Sequence, residues 1–446
     1  MSRLICVFVI ALSLTMSGLA MPPPTPKDYW PQWRGPSGQG LASEDNLPTE
    51  WSRTKNVAWS TEIPGRGFSS PIVWGDRVFL TTSIEGDVIP GVSPAPHMLG
   101  GEPFVHPDAV AGDKRHTLKV IALDTTSGKM LWERTSYEGR VFDARHRVGS
   151  FANTTPATDG ERVYAWFGSE GLYAYDFSGK LAWKKTLGGI PAFGMGTGSS
   201  PVLFENLIIL QCDEDNGERS FIVALDRRNG REVWRTKRAV QAGWSTPVIA
   251  RTASRAELIT SGNEFMISYN ARTGKELWRV KGTGGWTVPT PIVAHEIVVA
   301  SAAHPLKRAV AVRLGGTGDV TGTPQVAWER DRGTGYTPSS IAYGDYAYLL
   351  TDGGLLTCID IRTGEVKYEG ARPPKPGRFS ASPIAFGGKL LLTSEDGDTH
   401  VVTAGPAYQV LGTNSLDERI HASPAATSNG LLIRTMTRLY RIGGAT

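Results

Sequence analysis

The sequence predicts an all-β fold, an eight-bladed β-propeller of four-stranded antiparallel blades whose ring is closed by an N-terminal strand that completes the last blade. Three observations support this prediction. A short phrase of small hydroxyl residues and proline recurs along the chain, each repeat has room for four strands of about five to six residues, and no segment shows a sustained apolar period of 3.6 residues. Repeats of this length with four strands each are typical of propeller blades.

The recurring phrase places one or two hydroxyl residues and a proline before an apolar run. Successive copies stand 85, 45, 46, 44, 49, 43 and 41 residues apart, so only the first interval is long. We attribute the extra length to an insertion at about 84–117 in the first unit. The copies are Ser69-Ser70-Pro71, Thr154-Thr155-Pro156, Ser199-Ser200-Pro201, Ser245-Thr246-Pro247, Thr290-Pro291, the degenerate Ser339-Ser340-Ile341, Ser382-Pro383 and Ser423-Pro424.

A second phrase alternates with the first and ends in a large aromatic residue. It consists of Ala-Leu-Asp, a glycine turn and tryptophan, as in Ala122-Leu123-Asp124 through Gly128 to Trp132. A large ring at the end of each unit buries much apolar area, so we expect it to pack between adjacent blades. The residues predicted to have this structural role are Trp59, Trp132, Trp183, Trp234, Trp278, Trp328 and Tyr368.

The two ends of the repeat region predict how the ring closes. The last unit, residues 420–442, supplies only three strands, and the strand Val57-Ala58-Trp59-Ser60 has no strands of its own before it. We expect this strand to become the outer strand of the last blade, because closure removes unpaired sheet edges. The predicted organisation is an N-terminal strap over 21–56 and a propeller over 57–443.

The first twenty residues, 1–20, predict a secretory signal peptide. Arg3 supplies a positive charge, an apolar run covers 4–16, and Gly18 and Ala20 are the small residues that a signal peptidase needs. No later stretch reaches the roughly 18 apolar residues of a membrane span. We therefore expect an exported chain without a transmembrane segment, in the periplasm or outside the cell.

The charge pattern argues against nucleic acid as a partner. The formal net charge is +4, and no run of Lys or Arg is longer than two residues. Proteins that bind nucleic acid concentrate their basic residues on one face or in blocks. The basic residues of this chain are dispersed instead, so we look for other partners.

The repeat, with its Ala-Leu-Asp, glycine and tryptophan spacing, resembles the propeller repeat of the pyrroloquinoline quinone (PQQ) type. That family includes the quinoprotein alcohol dehydrogenases and the outer-membrane assembly lipoprotein BamB. The segment Trp30-Pro31-Gln32-Trp33-Arg34-Gly35-Pro36 resembles the lead-in of secreted PQQ-like propeller proteins from planctomycete-type bacteria. The resemblance covers about 30–443 and is specific for the fold. It says little about activity, because function resides in sites and not in folds.

The resemblance implies two different functions. The dehydrogenases hold PQQ in a central funnel with calcium, a catalytic Asp and often a disulfide between adjacent cysteines. This sequence has no adjacent cysteines and no recognisable motif for the calcium ligands or the catalytic Asp, which argues against an enzyme. Our leading hypothesis is a non-catalytic binding or scaffold module for an envelope or extracellular protein partner. The alternatives are a quinoprotein-type oxidoreductase with PQQ and calcium, and a carbohydrate-binding propeller.

Aromatic and imidazole side chains recur just before the hydroxyl–proline phrase, where each innermost strand starts at one end of the channel. Two interpretations are open. The rings line a funnel and stack on a planar or sugar-like ligand, or they pack as a plug that stabilises the ring. These candidate funnel residues are Phe68, Phe151, Trp244, Trp286, Tyr336, Phe379 and His421.

Other motifs with the right residue types lack the right spacing for a metal. The histidines at 97, 106, 116 and 146 match no compact zinc pattern, so we expect a solvated loop there. The acidic stretch 213–218 lacks the glycine and the closing glutamate of a calcium loop, which favours a hairpin turn. Cys212 and Cys358 fall in separate repeats, so we expect two buried thiols instead of a disulfide.

Overall fold

The computed structural model describes residues 28–443 and confirms the predicted fold class. Eight small antiparallel sheets are arranged as blades around a central channel, and the 3-10 turn Gly168–Glu170 is the only helical segment within that range. None of the described residues forms a helix long and apolar enough to cross a membrane. The predicted signal peptide, residues 1–20, lies outside the described residues.

Each blade has four strands, ordered from the channel outward. Blades 1 to 4 comprise Ile72–Trp74, Arg77–Val88, Lys114–Asp124 and Met130–Arg140; Ala157–Thr158, Arg162–Trp166, Leu172–Asp176 and Leu181–Lys185; Val202–Phe204, Leu207–Cys212, Phe221–Asp226 and Glu232–Lys237; and Val248–Arg251, Ala256–Ser261, Phe265–Asn270 and Glu276–Lys281. Blades 5 to 8 comprise Ile292–Ala294, Ile297–Ala302, Arg308–Arg313 and Val326–Arg330; Ile341–Tyr343, Tyr346–Leu350, Leu356–Asp360 and Val366–Ala371; Ile384–Phe386, Lys389–Thr393, Asp398–Thr403 and Val410–Ser415; and Ala425–Thr427, Gly430–Arg434, Arg438–Gly443 and Val57–Glu62.

Short strands complete the sheets at the edges and in the loops. Tyr29–Trp30 pairs with the innermost strand of blade 1, and Gly318–Asp319 pairs in parallel with the outer strand of blade 4. Three further pairs lie between blades or in loops. They join His97–Leu99 to Glu102–Phe104, Ala109–Val110 to Arg145–His146, and Gly285–Trp286 to His304–Pro305.

Burial explains why the inner and outer strands differ in composition. In blade 3 the second strand, Leu207–Cys212, is buried along its whole length, because neighbouring blades cover both of its faces. The outer strand Glu232–Lys237 buries only Trp234 fully and carries charged side chains toward solvent. Cys212 and Cys358 are buried in blades 3 and 6 and are unpaired, which confirms the expected pair of thiols.

The ring closes as predicted, through the strand Val57–Glu62. This strand pairs antiparallel with Arg438–Gly443 and so becomes the outer strand of blade 8. From there the Trp59 indole N–H donates to the carbonyl oxygen of Thr125 in blade 1, at 3.0 Å. The first and last blades are therefore joined by the N-terminal part of the chain.

The terminal tryptophans pack against a glycine of the following blade. A Cβ atom at these glycines would lie under 3.0 Å from the tryptophan ring, so the ring needs a residue without a side chain. This contact explains why glycine and tryptophan recur together in the sequence. The pairs are Trp59 on Gly128, Trp132 on Gly179, Trp183 on Gly230, Trp234 on Gly274 and Trp328 on Gly364.

Two of the predicted packing residues have different neighbours. Trp278 is fully buried and donates its indole N–H to Glu257 Oε2 in its own blade, at 2.7 Å. Tyr368 of blade 6 meets Tyr408 of blade 7 edge to face, with ring centroids 5.7 Å apart. Both still lie at a boundary between adjacent blades.

The hydroxyl–proline phrase forms a belt of hydrogen bonds around the channel. In each bond a backbone N–H of one blade donates to the hydroxyl oxygen at the matching position of the next blade. We call this ring of contacts the hydroxyl belt. Its bonds run from Ser70 to Thr155, Thr155 to Ser200, Ser200 to Thr246, Thr290 to Ser339, Ser339 to Ser382 and Ser382 to Ser423, at 2.8 to 3.0 Å.

The N-terminal segment, residues 28–51, enters the channel from one end with residues 31–40 and then runs out to the outer strand of blade 7, where Trp51 N–H donates to Asn414 Oδ1. Four consecutive residues of the segment bond to four different blades, which places them on the axis of the ring. Pro31 O accepts from Thr158 N–H, Gln32 Oε1 from Leu203 N–H, Trp33 Nε1–H donates to Thr290 Oγ1, and Arg34 Nη2–H donates to Ser340 O, at 2.7 to 3.4 Å.

Candidate functional site

The opposite end of the channel is the mouth, where the innermost strand of each blade begins. The insertion, residues 89–113, lies between the long strands Arg77–Val88 and Lys114–Asp124 of blade 1 and reaches across this end.

Aromatic rings form a continuous row across the mouth, from the insertion to blade 6. Their spacing lies within the 4.5–7 Å range of favourable ring pairs. We call this set the aromatic row. In order it comprises His106, Phe104, Phe193, Trp286, His304 and Tyr336, with successive centroids 5.9, 6.0, 5.6, 5.3 and 5.7 Å apart.

Three of the candidate funnel residues lie in or beside this row. Trp286 and Tyr336 belong to it. Trp244 packs in the same cluster as Phe193 and Trp286, and its indole N–H donates to Gly196 O at 2.7 Å.

The other four candidates lie apart from the row. Phe68 and His421 stack on each other with centroids 4.4 Å apart, near the junction of blades 8 and 1. Phe151 packs on His116, also at 4.4 Å. Phe379 is 1% exposed and belongs to the core between blades 6 and 7, as the packing interpretation implies. The seven candidate funnel residues thus do not form one ring. Three lie in or beside the aromatic row, three belong to separate ring pairs, and Phe379 is part of the core.

Sequence reasoning missed Phe104, Phe193 and His304. Phe193 stands eight residues before Pro201, outside the offset of three to five residues that the other candidates share, so its position gave no signal. Phe104 lies in the insertion, and His304 follows the second strand of blade 5. Nothing in their local sequence marks them, because the ring contacts are made between distant loops.

A buried imidazole fixes the insertion to blades 2 and 3. His97 is 5% exposed, and its Nδ1 is hydrogen-bonded to Asp215 Oδ2 at 2.9 Å. Its Nε2 makes an ion-pair contact with Asp143 Oδ1 at 3.0 Å. Burial lowers the pKa of His97, but the two carboxylates outweigh it and raise the pKa to about 9. We call this arrangement the His97 clamp.

The expectation of a solvated loop is therefore wrong for two histidines. His97 and His116 are buried, the first in the clamp and the second with its Nε2 on Ala111 O at 3.0 Å. The histidines do not gather around one point either. His146 is partly exposed, and its Nε2 forms an ion-pair contact with Asp108 Oδ2 at 3.5 Å.

The acidic stretch after the second strand of blade 3 is occupied by protein contacts. Asp213 forms a buried ion pair with Arg238, with Oδ1 and Nε 3.1 Å apart. Asp215 accepts from Phe193 N–H at 2.6 Å as well as holding His97. Within residues 28–443, no group of three or more His, Cys, Asp or Glu side chains is arranged to hold a metal ion.

Positive charge collects at the opposite side of the mouth. Arg66 lies over the Phe68 ring, with its guanidinium carbon 5.4 Å from the centroid. Burial, and after it the nearby charges of Arg419, Arg66 and Arg378, lower the pKa of His421 to about 4. His421 is therefore neutral near pH 7, with one donor and one acceptor nitrogen, and its Nδ1 lies 3.2 Å from the Ser380 hydroxyl.

The match to a family model identifies the family. The model, of the PQQ-type repeat and described as "Outer membrane protein assembly factor BamB", matches residues 41–222 and 218–384. These ranges cover more than half of the chain, which therefore belongs to the PQQ-like propeller family. No curated protein matches the sequence.

Solved structures share the architecture at low sequence identity. BamB from Moraxella catarrhalis is 13% identical with a TM-score of 0.52, over 81% of this chain and 99% of that one. A europium-containing methanol dehydrogenase is 11% identical with a TM-score of 0.62, over 91% and 89%. Quinohemoprotein alcohol dehydrogenase from Comamonas testosteroni is 11% identical with a TM-score of 0.60, over 94% and 81%. At these identities the likeness concerns the fold alone.

Proposed function

We propose that the protein is exported, to the periplasm or beyond the cell, and acts there as a non-catalytic scaffold that docks a protein partner through the insertion. The observation that carries this proposal is where exposed apolar side chains lie. Large exposed apolar residues mark interaction surfaces when they cluster. Seven of the twelve on the described chain fall between residues 88 and 148: Val88, Leu99, Val105, Val110, Leu131, Phe142 and Val148, with Val105 at 83% exposure.

The contacts that anchor the insertion to the rest of the propeller support this proposal. The His97 clamp and the pairing of Ala109–Val110 with Arg145–His146 hold the insertion in a defined position. A groove of about 880 Å³ runs beside it, with Pro94, Pro96 and Phe142 among its lining residues. A rigid element that displays apolar side chains binds a partner at a low cost in conformational entropy.

Site-specific photo-crosslinking in the native host tests the docking surface. A photoreactive amino acid at position 105 is expected to give a discrete protein adduct. The control position is Leu411, which is 46% exposed on the outer strand of blade 7. The partner identified from the adduct is then purified, and Val105→Asp is expected to lower its affinity while Leu411→Asp leaves it unchanged. Equal adducts at both positions, or equal affinity of both variants, would contradict the proposal.

A quinoprotein-type oxidoreductase is the second candidate. Two of the structures with the same fold are a methanol dehydrogenase and a quinohemoprotein alcohol dehydrogenase, and the aromatic row offers a flat stacking surface. The buried carboxylates of Asp143, Asp213 and Asp215 do not fit the role of calcium ligands, because they are engaged by His97, by Arg238 and by backbone N–H groups. We therefore derive no redox step.

Titration with PQQ, with and without calcium, separates the two candidates. A ligand that binds only the folded state raises the melting temperature. Saturable binding near one equivalent, with a raised melting temperature, would favour the oxidoreductase. An unchanged melting temperature and an unchanged quinone spectrum are the results expected of the scaffold.

A further inference from the structure

A pocket of about 660 Å³ opens between blades 4 and 5, at the exposed side of the aromatic row. Trp286 and His304 face each other across a two-residue antiparallel ladder, and their rings lie 5.3 Å apart at an interplanar angle of 37°. Leu306, 56% exposed, continues the same wall. The pocket thus has an apolar and largely aromatic side that is open to solvent.

Backbone without side chains forms the adjoining part of the pocket. Gly282, Gly284 and Gly285 line it, with φ of +141°, +72° and +137°. A Cβ atom at Gly285 would lie under 3.0 Å from Pro305 and from the carbonyl oxygen of His304. Glycine at 285 is therefore required for the close approach that sets Trp286 opposite His304.

The remaining wall is polar and carries no formal net charge. Its charged members are Glu264, Lys281, Arg308 and Glu329, two acids and two bases. Lys281 and Glu264 form a loose exposed ion pair at 3.5 Å. Across the described part of the chain, Arg308 and Glu329 join no ion pair, and both are exposed. Their hydrogen-bonding groups are free for a ligand.

We propose that this pocket binds a neutral hexopyranose chain, with the sugar rings stacked on Trp286 and His304. A pyranose has an apolar C–H face that suits an aromatic surface, and equatorial hydroxyls that pair with carboxylates and guanidinium groups. The volume lies in the range of small-ligand sites. The balanced charge of the polar wall gives an acidic polysaccharide no net attraction, so the class is neutral. The site is separate from the docking surface on the insertion, and neither proposal depends on the other.

Isothermal titration with defined oligosaccharides tests the proposal. The probes are hexamers of β-1,3-glucan, β-1,4-glucan, α-1,4-glucan and chitin, with polygalacturonate as the acidic comparison. We expect saturable binding of at least one hexamer. Trp286→Ala is expected to weaken it about tenfold or more, as truncation of a central aromatic contact does. The matched control, Phe142→Ala, removes an exposed ring outside the pocket and is expected to bind as the wild type does.

Three results would overturn the proposal. They are the absence of binding to every neutral hexamer, tighter binding of polygalacturonate, and unchanged binding by Trp286→Ala. If Trp286→Ala does not fold, Glu329→Gln is the substitute, because an exposed side chain at the rim does not support the core. Val105→Asp is expected to leave sugar binding unchanged, so failure of the docking surface and failure of the pocket give different results.

Discussion

Ser382 and Ser70 occupy matching places in the repeat, but only the hydroxyl of Ser382 takes part in the hydroxyl belt. The Ser382 hydroxyl accepts the backbone N–H of Ser339 at 3.0 Å, whereas the Ser70 hydroxyl is buried without a hydrogen-bond partner within 28–443. A buried N–H that loses its acceptor costs free energy, and a buried hydroxyl without a partner already costs it.

This difference predicts opposite behaviour of two alanine variants. Ser382→Ala is expected to lower the free energy of unfolding by about 1–3 kcal/mol, because it leaves the Ser339 N–H without a partner. Ser70→Ala is expected to be neutral or slightly stabilising. Urea unfolding followed by fluorescence measures both. Equal losses in the two variants would show that the hydroxyl belt does not contribute through these bonds.

At the scale of single residues, the repeat could be recognised from the sequence, but the contacts that explain its recurring residues could not. The hydroxyl of each phrase was recognised as a marker of period, and its role appeared only when the neighbouring blade was in place. The same holds for Phe193, whose ring partners Phe104 and Trp286 are distant from it in the chain. A contact between residues far apart in the chain leaves no local pattern to read.

Among the elements, the insertion departs furthest from expectation. Its histidine spacing matched no compact zinc pattern, and it could not show that Asp143 and Asp215, which are distant from each other in the chain, converge on His97. The strands of the blades were far more predictable, because their turns, glycines and terminal tryptophans recur with a constant period.

The His97 clamp predicts a dependence of stability on pH. The folded-state pKa of His97 is about 9, above its usual value of 6.5, so folding favours the imidazolium. Its contribution is complete below about pH 6.5 and is lost as the pH rises through 9, and it amounts to about 3 kcal/mol at most. The melting temperature of His97→Gln is therefore expected to fall below that of the wild type at pH 6, by a margin that shrinks toward pH 10.

Glu102→Gln provides the control for this measurement. Glu102 is exposed on the same hairpin as His97, and its variant is expected to follow the wild type across the whole range. A margin for His97→Gln that stays constant from pH 6 to pH 10 would show that the clamp acts by packing and not by charge.

For the whole molecule, the number of blades and the closure of the ring were readable from sequence because repeats record architecture. The junction between blades 8 and 1 repeats the tryptophan–glycine contact of an interior junction, although among the described residues it lacks the bond of the hydroxyl belt. Trp59 covers Gly128 as Trp234 covers Gly274, and in both cases a threonine hydroxyl of the outer strand donates to the glycine carbonyl.

This equivalence predicts how glycine substitutions rank. Gly128→Ala and Gly274→Ala are expected to lower the free energy of unfolding by similar amounts, each by about 2 kcal/mol or more, because the added methyl meets a tryptophan ring. Gly344→Ala, at φ +60° with open space around it, is expected to cost about 1 kcal/mol from backbone strain alone. The denaturant midpoints of the three variants measure these losses of stability. A much smaller loss for Gly128→Ala than for Gly274→Ala would mean that the closing junction is the looser one.

The N-terminal segment also determines from which end the central channel can be reached. Pro31 to Arg34 occupy the axis below the belt. The channel is therefore blocked at that end and accessible from the mouth. A molecule bound on the axis at the mouth would thus have no exit through the opposite end of the channel. A partner that covers the mouth would therefore be enough to close the channel.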